Sequence, residues 1–241
     1  MTNCNISGAD CVIHIASINK ETMMITILRI DASARPGPAH AAGEQASFSR
    51  TLADALQQGL TAHHGARVVT MRDLATDPLP AIADATIKGF YTPAEAMDDR
   101  LRAATALSDS LIAELEAADI LLISPPMDNF AGPAALKAWI DQIMRINRTF
   151  AYGNGAFSGL LKGKRAYVAY SYGAGGYGDG GPLHSFDFMR PYLTMILNFI
   201  GIEDVTSFAV EATTADIAKV DAAMVAAIKG IDRHFAGAGE V

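Results

Sequence analysis

The sequence predicts an α/β protein built on one five-stranded parallel sheet, strand order 2-1-3-4-5, with helices on both faces. Three observations lead there. Short β-rich runs alternate with longer stretches of helical spacing, five times over. Parallel strands joined by helices need right-handed crossovers, and five such units fit that order. The 241 residues, half of them apolar, suffice for one domain with a sizeable core.

The elements follow in order. "ITILRID" (25–31) is the first strand, and a Gly/Pro/Ala loop leads to "SFSRTLADALQQGLTAHH", a helix capped by Ser47 or Ser49. "ARVVTMRDL" is the second strand. "TDPLPAIADATIKGFYTP" reads as an irregular connection, and a long helix then runs to about Ala117. "DILLIS" is the third strand, followed by "PPMDNFAGP" and the helix "AALKAWIDQIMR". "GKRAYVAYS" is the fourth strand and ends in "SYGAGGYGDGGP". A helix stopped by Gly201, the strand "EDVTSFAV" and a last amphipathic helix complete the chain. Residues 1–23 read as an extension outside the fold, with Met23 or Met24 as alternative starts. Residues 24–241 read as a single domain.

Composition narrows the function. A net charge of −7 and the absence of a Lys/Arg cluster argue against a nucleic-acid partner. Two cysteines, Cys4 and Cys11, make neither a disulfide framework nor a metal site, and fit a reducing cytoplasm. Adjacent His63 and His64 point in different directions on a helix and read as exposed residues at its end. No run is long enough to span a bilayer, and the N-terminus lacks a basic start followed by an apolar stretch.

In an open sheet of this order ligands bind past the carboxyl ends of the strands, where the strand order reverses. That directs attention to the loops after strands 1, 3 and 4. The first offers Ser33 and a helix start with Ser47, Phe48 and Ser49, a phosphate cradle or simply a cap. No GxGxxG or GxxxxGK[ST] is present. The second offers Met127, Asp128, Asn129 and Phe130 after two prolines, so the peptide groups of these four residues are expected to lack ladder partners. The third has six glycines in twelve residues, which lets backbone approach a ligand closely. Each loop alone has an ordinary structural reading. Together at one sheet edge they suit a flat, phosphorylated heterocycle.

These residues resemble the FMN-dependent NADH-azoreductases, the acyl-carrier-phosphodiesterase-like branch of the flavodoxin-like NAD(P)H:quinone oxidoreductases. The resemblance covers about residues 24 to 236. It rests on Ser33, "SFSRTLAD", "RDLATDPLP", "MDNF", "TFAYGNGAFSGLLKGK" and "PYLTMILNFIGI". It implies bound FMN, NADH or NADPH as co-substrate, and ping-pong two-electron reduction of quinones and aromatic azo compounds. It also implies a homodimer with the FMN sites near the interface. By position, Ser33, Ser47, Phe48 and Ser49 match the family's phosphate groups. Met127, Asp128, Asn129 and Phe130 match its flavin-ring loop, as do Ser171, Tyr172, Gly173 and Ala174. Tyr152 and Phe199 match its substrate-side aromatics. Three departures stand out: Asp128 replaces the usual aromatic, Ala174 replaces a glycine, and the loop from Ser33 to Ser47 is long.

The flavin would carry the chemistry, so no catalytic side chain and no metal ligand is expected. Asp128 either tunes the ring's charge or points to solvent or caps the next helix. Trp139 reads as core or dimer packing. Arg145 and Arg148 are expected to be solvated or paired, and one of Tyr170, Tyr172 and Tyr177 is a candidate for stacking on a ligand. Two other readings remain: a pathway-specific FMN reductase of another aromatic electrophile, and a non-enzymatic electron carrier or redox-responsive module.

Overall fold

The computed structural model describes residues 25–42 and 45–237. The extension expected at 1–23 lies outside the described residues. In chain order the elements are β1 (Thr26–Asp31), α1 (Phe48–His64), β2 (Arg67–Asp73), α2 (Asp84–Tyr91), α3 (Asp99–Ala117), β3 (Ile120–Ser124) and α4 (Ala134–Ile143). They continue with β4 (Phe150–Gly153), β5 (Ala156–Gly159), β6 (Arg165–Ser171), α5 (Met189–Ile200), β7 (Asp204–Val210) and α6 (Ile217–Gly237).

The main sheet runs β2-β1-β3-β6-β7, every pair parallel. This is the predicted order, with β6 and β7 as its fourth and fifth strands. β3 is buried at all five positions, as expected of a strand covered on both faces. The alternation of its side chains divides the core in two. Leu121 and Ile123 face α3, α4 and α5, where Leu111, Trp139 and Leu197 pack. Ile120 and Leu122 face α1 and α6, where Leu56, Leu60 and Phe235 pack. Trp139 is therefore core, 1% exposed. Each such leucine contributes roughly 1.5–3 kcal/mol by leaving water.

Two elements depart from the sequence reading. α2 lies inside the stretch read as irregular. Its eight residues are too few to establish a period, and its N-cap, Ala83, offers no side-chain signal. β4 and β5 form an antiparallel hairpin ahead of β6. Its turn is Asn154-Gly155, with φ of 52° and 79°, the positive-φ pair that favours tight hairpins. This hairpin matters because it carries Tyr152 on Phe157, which packs on Phe199 of α5. Arg145 and Arg148 both pair with Asp109, at 2.7 and 2.6 Å, as the default reading expected.

Candidate functional site

The carboxyl ends of β1, β3, β6 and β7 open onto a cavity of about 490 Å³. Its first wall is the loop after β1, with Ser33, Arg35 and Gln45, and the start of α1, with Ser47 and Phe48. Ser47 is the N-cap: its Oγ accepts from the Arg50 amide at 3.4 Å and lies 3.2 Å from Ser49 Oγ. The first intrahelical bond is Thr51 N–H to Ser47 C=O, so the amides of Phe48 and Ser49 have no intrahelical partner. Hydroxyls, helix-start amides and Arg35, whose guanidinium donates to Gln45 Oε1, thus come from one wall of the cavity. That donor set fits a phosphate.

The opposite wall is Pro126, Met127 and Asp128 after β3, with Ser171 and Gly173 after β6. Here the structure corrects an expectation. The Met127 amide donates to the Ser171 carbonyl at 2.8 Å, and Ser171 N–H to Pro125 C=O at 3.3 Å, so pairing of β3 with β6 continues into the loop. Asp128 N–H donates to Ala131 C=O at 2.9 Å, and Ala131 N–H returns to Asp128 C=O at 3.1 Å. Between them Asn129 and Phe130 both take positive φ, 48° and 70°. The loop is therefore a closed tight turn in which the Met127 and Asp128 amides are paired, against expectation, while those of Asn129 and Phe130 have no partner among the described residues. Positive φ at phenylalanine is strained, and the Phe130 ring is held exposed near Phe186, 5.9 Å away. Helix α4 is capped by Pro133 with no side-chain cap, so Asp128 does not cap it. Asp128 lines the cavity.

The sequence-predicted residues divide accordingly. Ser33, Ser47, Phe48, Met127, Asp128, Ser171 and Gly173 line one cavity. Ser49 stands behind Ser47, fully buried. Asn129, Phe130 and Ala174 lie beside the lining rather than in it. The Tyr172 ring turns inward: it stacks on Tyr177 at 4.9 Å, and its hydroxyl donates to Asp187 Oδ2 at 2.8 Å. Burial, together with that hydrogen bond, pushes its phenol far above the ordinary range despite the opposing Arg190 charge. Tyr170 and Tyr177 are buried too, and Tyr177 borders the recess along α5, so none of the three tyrosines lines this cavity. Tyr152 and Phe199 lie away from the cavity, in an aromatic cluster. Tyr152 packs on Phe157 at 4.8 Å, and Phe157 on Phe199 at 5.3 Å. A wider recess of about 730 Å³ runs along α5 and contains Phe199, but none of the residues of the loops after β1 and β3.

Besides Arg35 and Gln45 in the loop after β1, sequence reasoning missed two groups. Thr213 and Thr214, after β7, complete the cavity. Their hydroxyls donate to the carbonyls of Tyr172 and Gly173 at 3.0 and 2.9 Å and fix the glycine loop. The signal was the Thr-Thr pair past a strand, overlooked because attention stopped at the switch point. The second group is a buried charge cluster behind Ser33. Arg29 and Asp31 occupy the α1 face of β1, where strand alternation calls for apolar residues, and are 5% and 2% exposed. Burial would lower the Arg29 pKa, but the hydrogen bonds and charges of Asp31 and Asp54 outweigh it and raise it. Burial likewise works against the Asp73 carboxylate, yet Arg50 and the nearby amides hold its pKa below the usual value.

A family model described as flavodoxin-like fold matches residues 26–235. The chain belongs to this family. Among its relatives, an FMN-dependent NADH:quinone oxidoreductase of Xanthobacter autotrophicus is 53% identical over 182 residues, which is 76% of this chain and 84% of that one. Another of the same name, from Beijerinckia indica, is 40% identical over 199 residues, covering 83% and 94%. In three dimensions the chain is similar to an azoreductase from Bacillus anthracis, TM-score 0.76 at 22% identity over 88% of this chain and 99% of that one. That likeness concerns the fold. The family match spans the described residues of all four loops that build the cavity.

Proposed function

We propose that this family member is an FMN-dependent NAD(P)H oxidoreductase that reduces quinones and aromatic azo compounds by two electrons in a ping-pong sequence. The observation that carries the reading is the cavity's polarity. A phosphate-type donor set comes from the loop after β1 and the start of α1, and the Met127–Asp128 and Ser171–Gly173 walls come from the loops after β3 and β6, all lining one cavity of about 490 Å³. The names of the relatives point the same way.

When bound, FMN supplies the two-electron chemistry, accepting from the nicotinamide and returning to the acceptor. The chain supplies position. Ser33, Ser47 and the amides of Phe48 and Ser49 would hold the phosphate, with Arg35 adding charge. Met127 and Gly173 would bound the ring, and Thr213 and Thr214 hold the glycine loop through its carbonyls. Asp128 puts a carboxylate on the ring side. No residue of the cavity is needed as a nucleophile or a metal ligand, and no group of metal ligands occurs among the described residues.

We assign the active form as a homodimer. Phe130, Phe186, Phe188, Tyr152, Phe157 and Met195 expose roughly half of each side chain or more, an apolar surface a second copy would cover. Tyr152 and Phe199 would then line the acceptor side in part across the interface. No described helix is long and apolar enough to cross a membrane. A reductase drawing on NADH belongs in the cytoplasm.

Titrating the purified apoprotein with FMN tests the reading. Uptake of one FMN per chain, with quenched flavin fluorescence and a shifted visible band, is expected. A protein that takes up no FMN refutes it.

A further inference from the structure

Arg50 touches both hydroxyl-bearing segments of the cavity. Its backbone amide donates to Ser47 Oγ at 3.4 Å. Its guanidinium, on a residue only 5% exposed, reaches back across the loop and donates from Nη2 to the Ser33 carbonyl at 2.7 Å. The same fork grips Asp73 at the end of β2 through both oxygens, at 2.6 and 2.7 Å. It lies 3.5 Å from Asp31, which also takes Arg29 at 2.9 Å. The other half of Asp31's role is to accept from Ser124 Oγ at 2.7 Å, the last residue of β3 before the Pro125-Pro126 loop. One buried network therefore joins the ends of three strands to the first turn of α1.

Stability alone does not account for it. Buried ion pairs are costly to desolvate, and apolar replacements of similar volume are often neutral or better. Attraction of an anion does not account for it either. The guanidiniums of Arg29 and Arg50 face three carboxylates, Asp31, Asp54 and Asp73, so the cluster holds no surplus positive charge. What the geometry supplies is a fixed distance between Ser33 and the α1 start.

We propose that Arg50 is a positioning residue which, with Asp31 and Asp73, sets the Ser33 loop against the α1 N-terminus and so makes the cavity select a phosphorylated flavin over an unphosphorylated one. This rests on the FMN reading above. A planar two-armed fork is required: lysine keeps the charge but cannot hold Ser33 and Asp73 together.

The experiment compares dissociation constants of FMN and riboflavin for the apoprotein by fluorescence quenching. Wild type is expected to prefer FMN. Arg50→Lys and Arg50→Met should each cut the FMN-to-riboflavin preference at least tenfold, through FMN affinity, while Arg72→Met, which breaks the separate pair with Glu114, leaves it unchanged. A preference within twofold of wild type in Arg50→Lys overturns the proposal, because charge without the fork would then suffice. Should neither Arg50 variant fold, Asp73→Asn decides: a drop of threefold or more supports the proposal and an unchanged preference overturns it. Wild-type protein that binds neither flavin is a different result, and removes the FMN reading itself.

Discussion

Gly159→Ala tests how the β4–β5 hairpin is seated against α5. A Cβ at Gly159 would lie 2.1 Å from Gly201 N, 2.3 Å from Ile200 C and 2.4 Å from Gly201 Cα. Contacts between carbon atoms settle at about 3.5–4.0 Å, so the two backbones must part by roughly an ångström or more. No side chain can yield, because all three obstacles are main chain. Gly201 cannot adapt either: it ends α5 at φ 105° and faces the same contact from the other side. Parting the backbones stretches the bond from Leu161 N–H to Ile200 C=O, now 2.9 Å. Overpacking of this kind costs about 1–3 kcal/mol, and unyielding backbone puts the cost near 3 kcal/mol. For a domain of this size that lowers Tm by roughly 6–12 °C. Thermal unfolding followed by circular dichroism measures it. Gly153→Ala, in the same hairpin with nothing within 4 Å, is the control and should move Tm by less than about 2 °C. The hairpin carries Tyr152 and Phe157 against Phe199, so KM for the acceptor should rise while FMN affinity stays put. A Gly159→Ala Tm within 2 °C of wild type would refute the reasoning.

Other expectations follow from the same geometry. Asp128→Asn removes a carboxylate from the cavity wall and should raise the flavin midpoint potential by roughly 10–30 mV, where 30 mV is about 1.4 kcal/mol for two electrons; spectroelectrochemistry showing no change would end the tuning idea. Tyr152→Ala removes an exposed ring, so Tm should move by no more than about 2 °C, the shift of roughly 0.5 kcal/mol, while steady-state KM for a quinone rises several-fold; an unchanged KM would take Tyr152 out of the acceptor side. Asp73 has its folded pKa held below the ordinary 3.8, so its ionised form stabilises the fold above that pH, and the contribution fades as pH falls through the lower folded value. Urea unfolding should therefore show Asp73→Asn less stable than wild type at pH 7, with the gap closing as the pH drops below 3.8; a gap that widens in acid would contradict the sign.

Much of this was legible from residue patterns because the patterns were local. The five sheet strands could be read from runs such as "ILLIS", since a strand buried on both faces must be apolar throughout. The end of α5 was legible at Gly201, where a left-handed cap requires little else. The lining at Ser33, Ser47, Met127 and Asp128 followed from the rule for strand ends, which also pointed to the glycine loop, and the family resemblance singled out Ser171 and Gly173 within it. What stayed hidden depended on contacts distant in sequence. Nothing near Arg29 or Arg50 announces that these two would be buried together, 21 positions apart, against Asp31. Nothing near Tyr172 announces that its hydroxyl would find Asp187 and draw the ring away from the ligand side. The Met127–Ala131 turn was half read: two prolines suggest unpaired backbone, which holds for the Asn129 and Phe130 amides, whereas Ser171 and Ala131 take up those of Met127 and Asp128. α2 fell below the length at which a helical period is readable.

The central claim is that one cofactor in the 490 Å³ cavity passes two electrons from a nicotinamide to an acceptor. Anaerobic stopped-flow of the FMN-loaded protein tests it in two separate halves. Stoichiometric NADH or NADPH should bleach the flavin band, and a quinone added afterwards in the absence of oxygen should restore it fully. A loaded protein that neither nucleotide reduces, or a reduced protein that no quinone or azo compound reoxidises, would contradict the account.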